Sequence, residues 1–140
     1  MKQLTKLEAI EERIIDKGIL LYETSTSSVK TAAIKMDSKC AIFFDVHKFD
    51  SITEQVEALT HEYYHVDQDA FYKFDDSLRT VKRREFKANC ALVKELVPIN
   101  EFAMLLSQGY SVYDIAEELG VTVNLIELAY KIYKQKGTIE

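Results

Sequence analysis

Between residues 51 and 70 the apolar side chains Ile52, Val56, Leu59, Tyr63, Val66 and Ala70 recur every three or four positions. At about 100° per residue they fall in one narrow stripe, so this stretch can bury its apolar atoms only as a helix laid against another layer. Ser51 followed by Glu54 has the spacing of a capping box, which sets the helix start near Ile52. The same wheel throws His61 and His65 to nearly the opposite side. Four positions apart, they stand one turn above each other, so both imidazoles can reach one metal ion, with Glu62 beside them. A solvated helix face would account for a histidine pair, but not for the carboxylate between them or for a further one downstream, at Glu85.

The flanking segments supply the layer. Leu4, Leu7, Ile10, Ile14 and Ile15 recur at helical spacing before Gly18, which predicts a first helix. A short apolar run over 19–22 precedes the Ser/Thr-rich stretch 24–28, which reads as a loop. Two strand-like runs come next, over 29–36 and 39–44, separated by Asp37 and Ser38. The economical expectation is a three-stranded, mostly antiparallel sheet, and with the helices an α+β fold.

Residues 71–79 read as a loop, and a second long helix is expected over 81–97, stopped by Pro98, the only proline in the chain. Val81, Phe86, Ala88, Cys90, Leu92, Val93, Leu96 and Val97 form its apolar arc, with Arg83, Arg84, Lys87 and Lys94 outside it. Glu85 and Asn89 fall inside. A carboxylate in a buried stripe is costly unless something compensates it. A metal held by His61 and His65 would do so, and so would a structural pairing with a lysine or arginine.

Taken together, His61-Glu62-x-x-His65, Glu85-x-x-Ala88-Asn89 and the ending Leu96-Val97-Pro98 resemble the ImmA/IrrE-type metallo-endopeptidases, relatives of the gluzincin proteases, over roughly residues 40–135. The resemblance implies a zincin-like core with one zinc ion held by His61, His65 and Glu85. It further implies Glu62 as the catalytic base and Asn89 as a residue supporting a ligand histidine. The partner it implies is a protein substrate, a helix-turn-helix repressor of a mobile element or stress regulon. An alternative from another class is a regulator that binds protein or DNA without proteolysis and uses zinc structurally. Tyr63, Tyr64, Tyr72 and His47 could each offer an oxyanion donor, and nothing in the sequence chooses among them.

Past Pro98, a short helix over 101–107, a stop at Gly109 and a new start at Ser111 with Asp114 lead to Ala116, Gly120 and Ile126 at helix-turn-helix spacing. Ile115, Leu119 and Val121 serve as its core positions, and a last helix spans about 123–134. From Ile99 onward there are six acids against three lysines, which repels phosphate, so direct nucleic-acid binding is not expected and a structural or docking role is. The expected division is 1–98 and 99–140, packed as one domain. A length of 140 residues with 47% apolar content supports a real core, and the formal net charge of -5 gives no general affinity for polyanions. Cys40 and Cys90 lie far apart and belong to no Cys-x-x-Cys pair, so two reduced thiols are expected. Without a secretory leader pattern or a membrane-spanning run, the expected location is the cytoplasm.

Overall fold

The computed structural model describes residues 3–25, 29–71 and 76–139. They form an α+β arrangement that divides into two compact units, residues 1–88 and 89–140.

The first unit begins with helix α1, Lys6–Asp16. Thr5 and Glu8 form a complete capping box, with Thr5 N donating to Glu8 and Glu8 N to Thr5. Gly18, at φ 85°, takes the left-handed conformation that ends the helix and turns the chain into the sheet. Strands β1 (Leu20–Glu23), β2 (Thr31–Met36) and β3 (Lys39–Phe44) lie in the order β1-β3-β2. The β2–β3 pair is an antiparallel hairpin turned at Asp37, whose φ is 51°. β1, however, pairs with β3 in parallel, Leu20 opposite Ala41. The sheet is therefore mixed, and the expectation of a mostly antiparallel one is corrected. Burial explains the order: β3 carries the buried Ala41, Ile42 and Phe44, so it takes the centre, and β1 and β2, more exposed, become the edges.

Helix α2, Ile52–Asp67, starts at Ser51, whose side chain accepts from Glu54 N. The other half of the expected box is diverted, because Glu54 accepts from Lys30 Nζ at 2.6 Å. Val56 and Leu59 are buried with Ile10, Ile14, Ile19, Ile42 and Phe44, and Tyr63 and Val66 pack against that cluster. The stripe thus faces α1 and the sheet, except at its ends. Ile52, in the first turn, is 65% exposed, and Ala70 lies beyond the helix.

Helix α3, Leu78–Leu96, begins three residues earlier than the apolar pattern suggested. Ser77 Oγ accepts from Thr80 N, a cap that fixes this start. Arg84 ties the helix to the preceding loop through the Phe71 carbonyl and Asp76.

The second unit holds the end of α3 and helices α4 (Ile99–Ser107), α5 (Val112–Leu119) and α6 (Val123–Gln135). Ser111 and Thr122 cap the last two through Asp114 N and Leu125 N, and Gly120 closes α5 at φ 69°. Phe102, Ile115, Ile126, Val93 and Val97 are fully buried at its centre. No helix among the described residues is long and apolar enough to cross a membrane.

Candidate metal centre

Because α2 commits its apolar stripe to the sheet and α1, its other side is left to present His61 and His65 to Glu85 of α3. There His61, His65 and Glu85 offer ligand atoms that all lie within 4.8 Å of one another. Glu85 bridges the pair: one oxygen lies 3.0 Å from His61 Nε2, the other 2.8 Å from His65 Nε2. The imidazoles meet edge to face, their centroids 4.7 Å apart.

The three residues are unequally buried. His65 is buried and His61 half-buried, while the Glu85 side chain is 37% exposed. The helical wheel had put Glu85 in a buried stripe. In the structure it stands at the margin of that stripe, and its two oxygens go to the two histidines.

The fourth member, Glu62, is buried, and one of its oxygens lies 3.2 Å from His61 Nδ1. Burial alone would lower the pKa of His61. Hydrogen bonds to Glu62 and Glu85, with the charges of both carboxylates, outweigh it and raise the pKa to about 9. Glu62, His65 and Glu85 line a cavity of about 260 Å³ whose other walls are Thr31, Ala32 and Ala33 of β2, with Ala70 and Phe71.

His65 is oriented by backbone. Its Nδ1 lies 2.9 Å from the carbonyl oxygen of Ala70, and Ala70 N in turn donates to the His65 carbonyl at 2.8 Å. This reciprocal contact depends on the way α2 ends. Asp69 adopts φ 51°, reversing the chain just after the helix, and Lys35 of β2 holds its carboxylate at 3.1 Å. A carbonyl can only accept, so a hydrogen on Nδ1 satisfies it and directs Nε2 toward Glu85. Side-chain identity carries no sign of this carbonyl, since it is a backbone atom; the aspartate two residues past the helix end was the available signal, Asp being tolerated in left-handed backbone. Asn89 is half-buried on α3, one turn past Glu85.

Of the tyrosines considered as oxyanion donors, Tyr63 and Tyr64 are engaged by Arg13. Its guanidinium lies 4.3 Å from the Tyr63 ring centre and donates to Tyr64 Oη at 3.2 Å. His47 is exposed on the 3-10 turn after β3, and Tyr72 lies outside the described residues. Cys40 and Cys90 are both free thiols.

No family model, curated protein or solved structure matches the chain.

Proposed function

We propose that this protein is a zinc-dependent endopeptidase of the ImmA/IrrE type, with a zincin-like core and a C-terminal helix-turn-helix-like unit. The observation that carries the reading is Glu85 reaching from one helix to both His61 and His65 on another, beside a buried Glu62 and an open cavity. Two imidazole nitrogens and one carboxylate make a donor set suited to catalytic zinc, with a fourth position left for water. Ligand atoms about 2.1 Å from a tetrahedral ion lie about 3.4 Å apart. The three ligand atoms, all within 4.8 Å of one another, would need to shift by at most about 1.4 Å to reach that spacing.

Zinc held there would supply a Lewis acid and an acidified water. Glu62, a buried carboxylate among the residues that line the cavity, would take a proton from water there and pass it to a departing amine. Ala70 keeps His65 in the ring orientation that presents Nε2. Asn89 is assigned a supporting role toward a ligand histidine through the family resemblance alone. The same resemblance suggests a regulatory protein as substrate, a helix-turn-helix repressor.

Glu62→Gln separates this reading from a regulator that uses zinc structurally. The variant should bind zinc as the parent does and lose all cleavage of a co-expressed repressor substrate, followed by gel and mass spectrometry. Cleavage that survives in Glu62→Gln would remove the mechanism and leave only the metal site.

A further inference from the structure

Residues 79–87 carry five of the 18 Lys and Arg in the chain and a single Glu, although the whole molecule has a formal net charge of -5. On α3, at about 3.6 residues per turn, Arg79, Lys82, Arg83 and Lys87 share one exposed arc about 12 Å long. Among the described residues none of the four is joined to a carboxylate, whereas Arg84, off that arc, is held by Asp76 at 2.6 Å. Two apolar side chains interrupt the stripe. Leu78 is 69% exposed and Phe86 37% exposed, and both fall within the arc or on its edge.

A solvated helix face has no need of two large apolar groups among four cations. Glu85, three residues after Lys82 and seven after Leu78, stands on the flank of the same face and lines the cavity. The stripe therefore runs alongside Glu85, a residue that lines the cavity.

We infer that the outer face of α3 over 78–87 is a docking surface for an acidic, apolar-studded protein segment, which holds a substrate against the adjacent cavity. The proposal rests on the peptidase reading for what is held, but not for the binding itself. Charge complementarity names the partner. The four cations attract carboxylates, and Leu78 and Phe86 give apolar side chains of the same segment a seat. A nucleic-acid backbone would use the cations alone and leave both apolar groups in water, and the acidic remainder of the chain opposes a long polyanion more than a short peptide.

The test is fluorescence anisotropy of the full chain with three probes: a short peptide of alternating glutamate and leucine, the same peptide with lysine for glutamate, and a single-stranded DNA oligomer of equal charge. The glutamate peptide should bind with an affinity that falls as salt rises, and the lysine peptide should not bind. Lys82→Glu with Arg83→Glu should weaken binding at least tenfold while circular dichroism, melting temperature and metal uptake stay at parental values. Phe86→Ala should weaken it severalfold at every salt concentration, because its contribution is not screened. Absence of glutamate-peptide binding, indifference to the charge reversal, or tighter binding of the DNA at physiological salt would overturn the proposal. Metal uptake, measured in parallel, separates the two ideas: a chain that binds the peptide but no metal loses the peptidase reading and keeps the docking surface.

Discussion

Among the described residues the interior of 89–140 is apolar from Leu92 to Tyr133, and the Tyr133 hydroxyl donates to the Val97 carbonyl at 2.7 Å. Residues 1–88 bury Asp45, Gln55, Thr60, Glu62 and His65 beside their apolar core. Burying polar groups costs free energy unless each finds a partner. Asp45 accepts from His47 N and Thr60 donates to the Val56 carbonyl, which are ordinary local solutions. Glu62 and His65 differ, since both line a cavity and answer one another through His61 and Glu85. The interior of one unit is apolar; the other sets ionisable groups against a cavity.

Substitutions should separate these two kinds of interior. The largest loss is expected from Phe102→Ala, which empties a fully buried site in the helical unit. It should cost about 3–5 kcal/mol in urea unfolding, while zinc affinity measured on folded protein stays at the parental value. His65→Ala should do the reverse, lowering zinc affinity by more than roughly 100-fold, the upper end of what supporting residues cost, with a smaller effect on unfolding. If both variants lose stability and metal alike, the contrast between the units fails.

A finer probe is Asp69, whose backbone places the Ala70 carbonyl. Asp69→Val forces a β-branched residue into left-handed backbone at about 1–2 kcal/mol and should weaken zinc binding about tenfold by freeing His65. Asp69→Gly accepts the same backbone without strain and should bind zinc as the parent does. Equal affinities in the two variants would show that this turn does not position the ligand.

The smallest effect concerns pH. In the metal-free protein His61 has a pKa raised to about 9 from 6.5. Its contribution to stability is therefore complete below about pH 6.5 and is lost as pH rises toward 9. Urea midpoints of metal-free protein should fall across that window, and His61→Gln should flatten the slope. Since protonated imidazole cannot bind a metal, zinc uptake near neutral pH should release protons, detectable by calorimetry in buffers of different ionisation enthalpy.

Much of this architecture was legible from periodicity and punctuation. Ser51 and Pro98 marked helix ends, and the spacing of Val56, Leu59, Tyr63 and Val66 set the buried side of α2, which left His61 and His65 on the other. Strand order was not legible, because the parallel pairing of β1 with β3 depends on which strand is most buried across the whole sheet. Nor was the support of His65. The stripe extended to Ala70 as though the helix continued, yet the chain reverses at Asp69, and that reversal brings the Ala70 carbonyl onto the ring. Helical spacing also overstated the burial of Glu85, since a wheel assigns a side and not a depth.

His61, His65 and Glu85 are expected to hold one divalent ion together. Equilibrium dialysis against zinc with native mass spectrometry tests this directly on the parent chain, Glu62→Gln, His65→Ala and Glu85→Ala. One zinc per chain is expected for the parent and for Glu62→Gln, with sharply reduced uptake in the other two. A parent chain that takes up no stoichiometric zinc, or a Glu85→Ala variant that binds it as tightly as the parent, would contradict the claim.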